Sequence, residues 1–346
     1  MSVKGEHEIY CCGARVRISE KGVEVLSEPL IEYCPLHEAL YGTRQIDVEA
    51  IRKTVEMKIA GFGFCCGNRL FDAEPIVAYG ASEMMQVWLK RGLIDCAVVV
   101  CEGAGTILTS NGNLVQAIGV RLTGIIKTSP IPEIITRIKK EGGIILDEKT
   151  ALIDQVVGVK KALSLGFKRV AVSVAGFQSK AISEIRSLEA SEKADILIFS
   201  VCNTCIGEID VEHIAKADIV CASASKILRN QMDIMALLQL GVAIPVFALT
   251  NKGKRLILAY LETLKDKLVI FRIGKLPYEV EGKSPKLKPK DNNGQHMFAK
   301  FYRVGCYWLF HMPKMLKNLE RSSVFVKVNQ PQPWPRKLCE VFNQKP

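Results

Sequence analysis

Two hydrophobic spacings alternate along the chain. Arg15-Val16-Arg17-Ile18-Ser19 and Gly22-Val23-Glu24-Val25-Leu26 place apolar side chains at every second position, and the turn between them predicts a β-hairpin. Ile46, Val48, Ile51, Val55 and Ile59 fall at helical spacing until Gly61 and Gly63 interrupt them. A second helix is expected after Gly80, with Ser82 as N-cap and Met84, Met85 and Trp88 on its apolar side. Residues 1–90 therefore read as a small α+β portion.

From residue 91 the pattern becomes regular. Apolar runs occur at Cys96–Val100, Ile144–Leu146, Val170–Val174, Ile196–Val201, Ile219–Val220 and Ile244–Leu249. Helical segments lie between most of them: Ile153–Leu165, Lys180–Ala190, Val211–Ala217, Lys226–Leu240 and Gly253–Leu264. Short apolar runs alternating with amphipathic helices predict parallel strands covered on both faces. The expected fold class is α/β, a doubly wound, mostly parallel sheet over residues 91–282. Leu268–Ile273 is expected as a further edge strand.

Charge divides the chain differently. The formal net charge is +11, but residues 283–346 carry 13 basic and 3 acidic side chains, so the preceding 282 are nearly neutral. Half of the 14 prolines also lie in this last segment, which opens on the linker-like run Lys283–Lys290. We read 283–346 as a basic, poorly ordered tail or an artefact of frame or assembly. Phe298–Phe310 is aromatic but broken by Lys300 and Arg303, so no membrane span is expected there or elsewhere. Aromatics among basic residues suit single-stranded nucleic acid, yet no recognisable module is present, and nucleic-acid binding is not expected. The first residues have no secretory pattern, which predicts a cytoplasmic location. The 12 cysteines are then thiols, metal ligands or redox groups, not a structural disulfide set.

Ligands of open α/β sheets bind beyond the carboxyl ends of the strands. Three expected strand ends deliver cysteine there: Cys101, Cys202 and Cys221. Cys202-Asn203-Thr204-Cys205 is the sharpest motif, because two intervening residues let both sulfurs face one metal ion or each other. The next helix is expected at Asp210, which leaves the motif on a loop and favours metal over dithiol redox chemistry. Cys34-Pro35-Leu36-His37 offers a second half-site, completing a three-sulfur, one-imidazole zinc set. An alternative set, Cys101, Cys202, Cys205 and Cys221, suits an iron–sulfur cluster. Plain packing competes with both, since cysteine is among the most often buried residues. In the adjacent pairs Cys11-Cys12 and Cys65-Cys66 neighbours on a strand point to opposite faces, so at most one of each pair is a ligand candidate and core filling is the better reading. Glu102, Gly103 and Gly105 form a turn that could present N–H groups to an anion, as could Ser223, Ser225 and Lys226 at a helix start. Arg121 and Lys127 are candidate counter-charges. A tight turn and simple N-capping explain the same residues.

Six segments carry a resemblance. Residues 31–42 (IEYCPLHEALYG), 93–106 (LIDCAVVVCEGAGT), 116–133 (QAIGVRLTGIIKTSPIPE), 153–165 (IDQVVGVKKALSL), 170–178 (VAVSVAGFQ) and 220–226 (VCASASK) resemble methanogenesis marker protein 8, an archaeal family of unknown function. The resemblance covers about residues 10–280 and not the tail. It implies a cytosolic protein of an archaeon that makes or oxidises methane. Other methanogenesis markers are linked to maturing or activating methyl-coenzyme M reductase, which needs iron–sulfur chemistry and a reduced nickel cofactor. Three functional expectations follow: a metal-binding or iron–sulfur accessory factor for that enzyme, an enzyme acting on a small anion at the sheet rim, or a non-catalytic scaffold.

Overall fold

A computed structural model describes residues 2–120, 124–232 and 235–289. The chain opens on an antiparallel meander of β1 (His7–Cys11), β2 (Ala14–Ser19) and β3 (Gly22–Val25). Alternation sets its faces: Val16 and Ile18 are buried, whereas Arg15 and Arg17 face water. β1 and β2 are joined by Cys12 and Gly13, both at positive φ (49° and 82°), the backbone of a two-residue hairpin turn. β4 (Ile31–Tyr33) leads into α1 (Pro35–Tyr41), where Pro35 occupies a position that needs no N–H. α2 (Val48–Phe62) is capped by the Asp47 carboxylate. α3 (Ala81–Lys90) starts from Gly80, not from Ser82, whose hydroxyl instead bonds the Glu83 carboxylate inside the first turn.

β5 (Cys96–Cys101) and β6 (Gly105–Thr109) form a hairpin, followed by α4 (Gly112–Gly119), β7 (Gly124–Thr128), α5 (Pro132–Lys140) and the short β8 (Ile144–Ile145). Strand–helix repeats come next: α6 (Gln155–Ser164), β9 (Arg169–Ala175), α7 (Lys180–Glu192), β10 (Asp195–Val201), α8 (Glu208–Ile214), β11 (Ile219–Cys221) and α9 (Lys226–Gln231). α8 starts from Gly207, and Asp210 bonds back to the Gly207 N–H from the third helical position. β12 (Leu238–Leu240), β13 (Val246–Ala248), α10 (Asn251–Leu261) and β14 (Lys286–Leu287) complete the described residues.

The fold is α/β, built on a mixed sheet. Eight strands lie in the order β12-β13-β11-β10-β9-β5-β6-β8, and only the central four run parallel. Those four follow chain order across the sheet without the reversal of a doubly wound fold. β6 turns back because its connection is too short for a crossover, with three residues separating it from β5. β13 and β8 pair antiparallel with β11 and β6 although longer connections precede them. Both faces are nevertheless covered, which is why the central strands read as continuous apolar runs. On one face Val159, Ile185 and Ile214 pack on Val170, Val172 and Ile198. On the other Trp88, Val115 and Ile257 pack on Ala171, Leu197 and Ile219.

Further expectations are corrected. The helix beginning at Lys226 stops at Gln231, and Leu238–Leu240 becomes a strand. Leu268–Ile273 forms no strand, and Ile270 is 78% exposed. β7, a strand that the apolar runs do not mark, pairs with β1 in a second sheet ordered β3-β2-β1-β7. Within the linker-like run, Lys286–Leu287 pairs with β4. Residues 290–346, with Phe298–Phe310, lie outside the described residues, as does Arg121. No helix among the described residues is long and apolar enough to cross a membrane.

Candidate functional site

The three cysteine-bearing strand ends have different fates. Cys101 is buried, with its sulfur 3.5 Å from the Glu102 carboxylate. Glu102 is itself committed to a buried ion pair with Arg69. The Gly103-Ala104-Gly105 turn leads into a returning strand, not a helix. Its Gly103 N–H donates to Thr128 Oγ1 at 2.7 Å, and a Cβ on Gly105 would meet the Ala151 carbonyl at 2.2 Å. Glu102, Gly103 and Gly105 are thus enclosed by the protein's own packing.

Cys202 and Cys221 open onto a different environment. Asn203 ties their two loops together. Its amide nitrogen donates to the Cys221 carbonyl at 2.7 Å, and its backbone N–H donates to Ser223 Oγ at 3.1 Å. The Cys205 thiol faces the Gly13 carbonyl at 3.8 Å, which brings the β1–β2 turn against the β10 exit. A Cβ at Gly124, opposite Tyr10 in the second sheet, would lie 3.5 Å from the Cys202 sulfur. The Cys12 carbonyl accepts from Leu30 N and Ile31 N (3.1 and 3.3 Å), anchoring the strand that delivers Cys34. Cys11, Cys12, Cys34, Cys202, Cys205 and Cys221 therefore gather between the second sheet and the rim of the large one.

Two buried cations enter this gathering. The charge of Lys58 of α2 is coupled to Tyr41, Cys11, Cys12 and Cys202. The charge of Arg229 of α9 is coupled first to Glu279 and then to Cys221 and Cys34. Six non-glycine residues among those described have left-handed backbone, and three of them (Cys12, Cys202, Ser223) sit in these loops. Such conformations persist only where the surroundings over-determine them, and they cluster at functional sites.

Charge and burial set the thiols apart. Burial pushes Cys202 up to about 12 and Cys205 to about 11, and it also raises Cys34 and Cys221. Cys11 goes the other way: the Cys12 side chain bonds it, and the Lys58 charge favours its thiolate against burial. Its partner Cys12 is raised by the same bond. His37 is held neutral by burial, its value lowered to about 4. Its Nε2 pairs with Thr54 Oγ1 at 3.0 Å, while Nδ1 has no hydrogen-bond partner among the described residues. Cys34 and His37 thus share a helix turn, but the imidazole contacts Thr54 and Tyr41. No group of three or more His, Cys, Asp or Glu side chains among the described residues is placed to hold one metal ion.

The remaining expected contacts are simpler. Ser225 caps α9 by accepting from Leu228 N at 3.3 Å, and Lys226 and Lys127 are exposed. Sequence reasoning missed Lys58 and Arg229 as candidate site residues and ranked Cys11 and Cys12 below core filling. Lys58 carried a signal: Ile51, Val55 and Lys58 share one apolar helix face, where a lysine is out of place.

Fold and site together define a mixed α/β protein with a thiol-rich site between two sheets. The chain belongs to a family described as an uncharacterized protein conserved in archaea (DUF2099), whose profile matches residues 7–262. It is 43% identical over 259 residues to the uncharacterized protein MJ0054 of Methanocaldococcus jannaschii, covering 74% of this chain and 90% of the relative. The family match contains all six gathered cysteines, Lys58 and Arg229, and ends before β14.

Proposed function

We propose that the thiol site holds a soft metal centre, zinc or an iron–sulfur cluster. In this reading the protein is a cytoplasmic accessory factor of the methanogenesis marker protein 8 type, assisting maturation or activation of methyl-coenzyme M reductase. The observation that carries the metal reading is the electrostatic coupling of five thiols to Lys58 (Cys11, Cys12, Cys202) and Arg229 (Cys34, Cys221), with Cys205 on the same loop as Cys202. Thiolates are the ligands that select zinc and iron–sulfur clusters. Four thiolates on a divalent ion leave a net negative centre, and buried cations offset the cost of holding that charge away from water. Loading would draw the sulfurs together and release their protons, so folding and metal uptake are coupled. His37, being neutral, is in the protonation state that a ligand needs. The link to methane metabolism is supported by the archaeal family and the six resembling segments.

The test is zinc, iron and sulfide analysis of anaerobically purified protein, before and after reconstitution. About one centre per chain is expected, lost in Cys202→Ser/Cys205→Ser. Protein that stays free of zinc and iron after reconstitution contradicts the metal reading. A second reading, an enzyme taking a small anion at the rim, now draws on Arg229 in place of the Glu102 turn.

A further inference from the structure

Arg229 is divided between two parts of the protein. Its Nη2 donates to two carbonyls of the body, Ala243 at 2.6 Å and Ser223 at 3.3 Å. Its Nη1 faces the segment that follows α10, with Ser284 Oγ at 2.8 Å and the Glu279 carboxylate at 3.6 Å. That segment crosses the site as a strap. At one end Tyr278 and Gln239 exchange two hydrogen bonds of 2.8 Å. At the other, Lys286 and Leu287 pair with Tyr33 and Ile31, and Lys288 N donates to Leu30 O at 2.9 Å.

The strap is lightly held. Its side chains are exposed or half-buried, Glu279 is 55% exposed, and Leu287 is the strap residue that touches the core, at its edge. Few buried apolar contacts and exposed backbone bonds mark the segments that open first. Behind it the guanidinium is anchored by carbonyls on its inner edge, beside Cys34 and Cys221. A planar guanidinium fixed on one edge presents the other as a fork for an oxyanion.

We propose that Arg229 is an anion-binding residue of the thiol site, and that Glu279 stands in for the oxyanion group of a small ligand that displaces it. This rests on the thiol cluster being the functional site, but not on a metal being bound there.

Charge-matched alkylation tests it. Iodoacetate and iodoacetamide both form an S–CH2 bond as the thiolate expels iodide, but only the first is an anion. In Glu279→Gln, the iodoacetate-to-iodoacetamide rate ratio at Cys221 and Cys34 should rise about tenfold, the low end of electrostatic focusing. The ratio at Cys205, which does not neighbour Arg229, should stay constant. An unchanged ratio, or an equal rise at Cys205, overturns the proposal. In the unaltered protein, millimolar inorganic phosphate should accelerate hydrogen exchange of the Tyr278 and Lys288 amides, and unaffected exchange also overturns it. Protein that takes up no metal yet shows both effects contradicts the metal reading alone. Protein that loads metal with a flat ratio contradicts this inference alone.

Discussion

Two regions bury cationic side chains and satisfy them in opposite ways. Beside β5, Arg69 pairs with the Glu102 carboxylate, donates to the carbonyls of Leu70, Ala117 and Ile118, and lies 4.4 Å over the Phe71 ring. Both charges of that pair are at most 1% exposed. In the thiol site, Lys58 is coupled to cysteines, most of which burial keeps protonated, and Arg229 has only the half-exposed Glu279 carboxylate at 3.6 Å besides its thiols. A carboxylate opposite an arginine closes the electrostatics and fixes a structure. Thiols and one water-exposed carboxylate compensate buried cations less completely, which favours thiolates, anions or a metal–thiolate centre. The first arrangement is that of a fold determinant, and the second that of a site waiting for negative charge.

Breaking the closed pair should have the largest effect. Glu102→Met leaves Arg69 buried without its carboxylate and should cost about 3–5 kcal/mol in a denaturant titration. Lys58→Met removes a buried cation coupled to thiols and leaves no uncompensated charge behind among them, so it should cost less than Glu102→Met in the same titration. The same substitution should slow Cys11 alkylation at neutral pH, because the charge that favours its thiolate is gone. A Lys58→Met cost as large as that of Glu102→Met would erase the contrast.

His37 sharpens the comparison through pH. Its folded value of about 4 lies below its ordinary 6.5, so the unfolded chain binds the proton first as pH falls. Its contribution is complete above about pH 6.5 and is lost as pH drops toward and through 4, by at most about 1.4 kcal/mol per pH unit. Melting followed across that window should show a shallower dependence in His37→Gln. Equal slopes would mean that His37 is not held neutral. Smaller again, Ser225→Ala should cost about 1 kcal/mol as a lost helix cap. Lys226→Ala should stay within about 0.5 kcal/mol, since that side chain is exposed.

The sequence made burial legible but not direction. The runs at Cys96–Val100, Val170–Val174 and Ile196–Val201 are central strands, because a strand covered on both faces must be apolar throughout. The same signal cannot separate a parallel neighbour from an antiparallel one, so the periodicity places β13 with the parallel strands although it runs against β11. At the site, Cys202-x-x-Cys205 is visible in the sequence, but Asn203–Cys205 form a short 3-10 turn with Cys202 at its start instead of the expected loop. Cys11-Cys12 was read as two opposite faces of one strand. Cys12 instead leaves the strand for a turn, with Gly13 supplying the second left-handed position. The meeting of that turn with the β10 exit is a contact between segments remote in sequence, which local periodicity cannot register.

The most direct test of a single thiol site compares anaerobically reconstituted protein with Cys12→Ser, Cys202→Ser and Cys96→Ser variants, measuring bound zinc, iron and sulfide. A shared site predicts that the centre is lost or strongly weakened in Cys12→Ser and Cys202→Ser alike. It should be retained in Cys96→Ser, whose thiol is buried in the sheet core. Metal retained in Cys12→Ser but lost in Cys202→Ser, or absent from the parent protein, would contradict it.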